Sequence, residues 1–269
     1  MRSKVWIGVG VALAAGSMTA PLASAGAPHV ASGPAAKLWQ VADKAVAAGQ
    51  GGEGGEAGLA APAAGATDVA FAVGMAELSA HLALADELLG NGDAAAAAER
   101  LQHGLESVYA PLKGRFADNK IEPFEVEWTA AIDAAKSGKD LPVFEKARAL
   151  LSRRLAQATL TAAPVSVMSG LAKQAAVEYA EAIENGRFKA LPEYQYAYVF
   201  IRTAAAHLAR ARQDLAVRDK KATDDLAALV ASLRSAVSSI APPDNTVITP
   251  AEFAAIASKV ELKASRFAK

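Results

Sequence analysis

The 269-residue chain has no cysteine. That excludes disulfides, thiolate zinc sites, iron–sulfur clusters and covalent haem attachment, and it leaves no thiol to carry a lipid anchor. Stability must then come from a packed core. Net charge is also lacking: 28 Lys and Arg balance 28 Asp and Glu, with both signs interspersed, so neither nucleic acid nor an anionic membrane is favoured as a partner. Aromatic residues are sparse at 6% and histidines number only four, which makes the position of each one informative. No segment beyond the N-terminus reads as long, apolar and uncharged enough to cross a bilayer.

What is abundant is alanine, about a quarter of all residues. Alanine has the highest helix propensity, and its small side chain lets helix backbones approach closely, so the expected fold is all-α, built as Ala-rich helical bundles. The first residues carry a different signal. Arg2 and Lys4 precede an apolar run from Val5 to Gly16, and Ala23-Ser24-Ala25 is a small-x-small cleavage site, so residues 1–25 are predicted to be a secretory signal peptide. Export to a periplasm or to the medium follows from that reading. About 244 residues remain, enough for one large or two small domains.

Apolar spacing and breakers divide the mature chain into about eight helices. A short helix is expected at 34–48, then the Gly/Glu-rich stretch Gly49 to Gly58, the two forming a leading segment 26–66. Phe71, Met75, Leu78, Leu82, Ala85 and Leu89 predict a helix from about 67, stopped at Gly90-Asn91-Gly92, with Asp93 capping the next, which runs from 94 to 109. Pro123 and Pro142 open two more, and a break at Ala163-Pro164 divides the chain near its middle. Beyond it, helices are expected at 166–185, 192–217, 221–240 and 250–264, and no confident strand anywhere. The boundaries are consistent with one bundle over 67–162 and a second over 163–269, or with one continuous helical domain.

Residues 177–201, VEYAEAIENGRFKALPEYQYAYVFI, combine Tyr179, Gly186-Arg187, Glu193-Tyr194 and Phe200 at a spacing that resembles the periplasmic N-terminal extension of bacterial high-affinity iron permease family proteins. The family's membrane helices and Arg-Glu-x-x-Glu motif are absent, so the resemblance implies an iron-related partner of the envelope and not the permease itself. On the residues alone the segment reads as a helical hairpin, with Gly186 at a left-handed helix end and Pro192 in a first turn.

Glu77 and His81 lie four apart on one predicted helix. Glu99, His103 and Glu106 lie four and three apart on the next. These spacings put carboxylate and imidazole on one helical face, as a metal site requires. Across an antiparallel hairpin centred at Asn91-Gly92, His81 would sit level with His103, and Glu77 with Glu106. On a 100° wheel, however, His103 lies opposite the Leu101–Leu105–Val108 stripe, and it faces inward only if the side bearing Gly104 and Ser107 is the packed one. Glu53 and Glu56, on their glycine string, could reach the same ion. Oxygen and nitrogen donors of this kind suit iron, with zinc and manganese as alternatives. His207, near Thr203, Arg210 and Asp214, reads as a surface residue. No nucleophile elbow, P-loop or zinc-protease helix is present, so a non-enzymatic protein is expected. The function predicted from sequence is an exported metal-binding or metal-delivery accessory protein, iron favoured, acting on an envelope transport protein. The competing reading is a non-catalytic helical scaffold or interaction protein of the cell envelope.

Overall fold

Helix α1, Ala64–Gly90, is buried on almost every side: Phe71, Ala72, Ala76, Ala80, Leu84 and Ala85 are fully buried, and their positions go round the helical wheel. A helix of that kind has to run through the middle of a bundle. It does so in the computed structural model, which describes residues 64–138, 141–159 and 162–267, with α1 packed against helices from both halves of the sequence. The chain divides into two compact units, Met1–Ala31 and Ser32–Lys269, and all described residues belong to the second. The signal peptide, the first short helix and the Gly/Glu-rich stretch fall outside the described residues.

Helix α2, Ala94–His103, is capped as expected, with Asp93 Oδ1 accepting from the Ala96 amide at 3.0 Å. It does not continue as an α-helix. Gly104–Tyr109 form a π-helical turn, followed by one α turn at Ala110–Leu112 and a 3₁₀ turn at Lys113–Arg115. Trp128 supports this irregular stretch by donating its indole N–H to the Leu101 carbonyl at 2.8 Å. Helices α3, Glu125–Ser137, and α4, Leu141–Thr159, complete the first half, and their buried Phe124, Trp128, Phe144 and Leu151 pack into the cluster around Phe71 and Tyr109.

In the second half, α5, Pro164–Glu181, lies along α6 and α7. Helix α6, Leu191–Ala236, is one long element broken only at Asp219, whose φ of −156° and ψ of 95° are extended. Asp219 caps the half that follows, its Oδ1 accepting from the Ala222 amide at 2.9 Å, so the predicted boundary between 217 and 221 is real as a kink. Helix α7, Pro250–Ala264, opens with a reciprocal capping box between Thr249 and Glu252. The described residues are thus 81% helical, in seven helices and a few short turns, with almost no strand, and the all-α expectation holds.

Three local expectations need correction. The link between α5 and α6 is not a simple helical hairpin turn. Strands β1, Ile183–Glu184, and β2, Arg187–Phe188, pair antiparallel across Asn185 and Gly186, both at positive φ (52° and 75°). Asn-Gly is the preferred sequence for that two-residue turn, and it outweighed helix capping here. His207 is buried rather than on the surface. Finally, Val69–Gly90 is long and apolar enough to cross a membrane, but 72% of its most apolar 18-residue window is buried in the bundle, which accounts for its apolar character.

Helices α1 and α5 approach closely at Gly170. A Cβ on Gly170 would stand 2.4 Å from Cγ2 of Val73, a stiff branched side chain that is itself buried. Gly170→Ala is therefore expected to lower stability by about 1–2 kcal/mol in urea unfolding despite alanine's better helix propensity, and Val73→Ala added to it to relieve the clash. Gly114→Ala, where a Cβ meets open space, serves as the neutral control.

Candidate functional site

Helices α1, α2, α5 and α6 each send polar side chains into the bundle interior. Glu77 and His81 come from α1 and are 0% and 1% exposed. Arg100 and His103 come from α2, Gln174 and Glu178 from α5, and Glu193, Gln195 and Tyr196 from the start of α6. Each pair on α1 and α5 is spaced by one helical turn, so both members face the same way.

The histidines form one end of the group. The ring centroids of His81 and His103 are 5.4 Å apart, and Tyr196 stacks on His103 at 4.8 Å while meeting His81 edge-on at 5.0 Å. Gly104 makes this approach possible, since a Cβ there would lie 3.1 Å from both His81 Cγ and Trp128 Cζ2. His103 therefore faces inward. That meets the condition the wheel set, since the side bearing Gly104 is the packed one and Gly104 is itself buried, and the π-helical turn that begins there shifts Leu105 and Val108 relative to the residues before it. Burial, then repulsion from His103 and Arg100, holds His81 well below the ordinary histidine pKa, and burial with Arg100 also lowers His103. Both rings are neutral near pH 7, and the buried His81 Nδ1 has no hydrogen-bond partner among the described residues. Arg100 is itself spoken for: its Nε donates to Gln195 Oε1 at 3.1 Å, and its guanidinium lies over the Tyr196 ring.

Carboxylates form the other end. Glu77 Oε1 accepts from Gln174 Nε2 at 3.0 Å, but its Oε2 is buried and unpartnered, and burial pushes its pKa up to about 7. Glu178, 6% exposed, is raised well above the carboxylate range by burial first and then by Glu181, Glu193 and Glu77; every group that acts on it raises it. Glu193 Oε2 is likewise buried without a partner among the described residues. Acids from three helices thus act on Glu178 together, and among the described residues no cation is set against it. Such a group must hold protons or take up a positive ion.

The residues singled out from sequence separate accordingly. His81 and His103 are brought together, and Glu77 sits one turn along from His81 in the core. Glu106 is exposed and accepts from Gln102 Nε2 at 2.6 Å on the outer side of the helix. Glu53 and Glu56 lie outside the described residues. Among the described residues, no three His, Asp or Glu side chains already stand close enough to enclose a metal ion. Glu178, Glu193 and Gln174 went unnoticed as site residues, although Glu178 and Glu193 both lie inside the segment 177–201.

Residues 155–269 match the iron permease-associated 4-helix bundle domain. The resemblance seen in 177–201 is therefore part of a longer one. The matched bundle domain supplies Gln174, Glu178, Glu193 and Tyr196, while Glu77, His81, Arg100 and His103 come from the helices that precede it. Neither a curated protein nor a solved structure matches the chain.

The Glu77 carboxyl gives a signed pH dependence. Its pKa is raised from 4.5 to about 7 in the fold, so its contribution is fully favourable below about pH 4.5 and is lost as pH rises through 7. Relative to Glu77→Gln, which mimics the protonated acid, the native chain should lose stability on the order of 3 kcal/mol between pH 4.5 and 7. Urea unfolding of both proteins across that range measures it, and parallel pH profiles would show that Glu77 ionises freely.

Proposed function

We propose that this chain is an exported, non-catalytic accessory protein of iron transport, which binds iron in the cell envelope and passes it to a transport protein. An iron-transport-related role is suggested by the matched domain's description as iron permease-associated. The observation that carries the binding step is the under-neutralised acid group, Glu178 with Glu77 and Glu193, placed at the junction of that domain with α1. Carboxylates are hard oxygen donors and suit iron, with the neutral His81 ring as an available nitrogen donor; manganese and zinc are chemically close competitors. Iron here is cargo. A site that must first release protons binds its ion reversibly, and its affinity falls as pH falls, which suits delivery better than permanent retention.

Calorimetric titration of the whole protein with iron(II) under anaerobic conditions, and with manganese(II) as an air-stable probe, tests this reading. Glu178→Gln and Glu77→Gln should each weaken binding by tenfold or more, and titrations in buffers of different ionisation enthalpy should reveal proton release on binding between pH 5 and 7. Affinity that survives both carboxylate variants would overturn the reading. Loss confined to His81→Ala and His103→Ala would move the ion to the paired-histidine end and overturn the carboxylate assignment.

A further inference from the structure

A separate cleft of about 790 Å³ lies where the last turns of α4, the start of α5 and the middle of α6 meet, closed on one side by Phe267. Its charge is unbalanced. Arg153, Arg210 and Arg218 face it, and Asp214 is the one acid on its wall. Arg218 is tethered, donating to the Phe267 carbonyl at 3.1 Å with its guanidinium over the Phe267 ring. Arg153 and Arg210 are largely exposed and make no hydrogen bond or ion pair among the described residues. Many cations elsewhere on this surface are paired, Lys113 with Glu125, Arg148 with Glu145, Lys173 with Glu261 and Lys221 with Asp225.

Two further features favour negative charge here. The first turn of α5 enters the cleft at Ala163-Pro164-Val165 without any side-chain cap, so the positive end of an 18-residue helix is left open to it. His207, buried in the wall, is pushed down to about pH 4 by burial and then by Arg210, so at neutral pH it offers a hydrogen bond and no charge. Ala211, Leu215 and Phe267 supply an apolar floor between the arginines. Arg153 comes from α4, the open helix end is that of α5, and Arg210 and Arg218 stand about two turns apart on α6, so the positive groups are spread along the cleft. A ligand that satisfies them carries several anionic groups on a carbon skeleton, and planar guanidinium groups pair with carboxylates two bonds at a time.

We propose that this cleft binds a small di- or tricarboxylate, held by Arg153, Arg210 and Arg218. The site shares no residue with the buried acids, so it stands independently of the iron reading.

The test uses the whole protein, stripped of metal, and tricarballylate, a tricarboxylate that chelates metals weakly. Calorimetry should show one binding site, weakened tenfold or more by Arg153→Gln and by Arg210→Gln, strengthened by Asp214→Asn, and unchanged by Glu178→Gln. Both arginines are exposed, so circular dichroism should show these variants folded like the native chain. Acetate should bind far more weakly. No binding of tricarballylate, binding indifferent to both arginine variants, or equal binding of inorganic phosphate would each overturn the proposal.

Discussion

Burying carboxylates without a counter-cation is the constraint on which the rest of this structure turns. Glu77 and Glu178 lie in the interior between α1, α5 and α6, where a charged acid loses its hydration and gains no ion pair in exchange. The effective cost is several kcal/mol per ion, and apolar residues of similar size are often neutral or better at such positions. A bundle with leucine at both positions would hold together at least as well. Retaining the acids makes sense where their charge is used, and the only ways to relieve it are protons or a bound cation. Both link the core of the bundle to what surrounds the protein.

The packing that enforces this burial comes from alanine and glycine. Small side chains let α1 sit against four other helices with almost no solvent contact, so a glutamate on it cannot reach water by extending its side chain as it would on a surface helix. The same economy of space brings the histidines together. Gly104 opens the π-helical turn, and the room left by its missing side chain is filled by His81 and Trp128. Local irregularity and tertiary crowding therefore have a common source, and both concentrate where the matched domain meets the helices that precede it.

Much of the helical framework was legible because it is punctuated by residues with a local mechanism: Asp93 as a cap, prolines at 142 and 164 in first turns, the break at Asp219. Asn185-Gly186 was misjudged because two local rules compete for it, and the hairpin turn outweighed the helix cap. The orientation of His103 stayed open for another reason, since a regular wheel cannot anticipate a π-helical turn or decide that the side bearing Gly104 is the packed one. Glu178 and Glu193 stayed hidden because an alanine-rich helix has no sharp apolar stripe. On α5, an acid among alanines reads as part of a solvated face until α1 covers it. The pairing of His81 with His103 survived these errors because the length of the hairpin arms, which sets their level, does not depend on which face is buried.

The proposed iron site is the acid group in the bundle interior. Anomalous X-ray diffraction at the iron edge, from crystals of the whole protein grown with iron, tests it most directly. The expected result is a single strong peak in bonding contact with the carboxylate oxygens of Glu178 and Glu77. A peak only on the outer surface, beside Glu106 for instance, or none within the bundle while the acids remain buried, would contradict it.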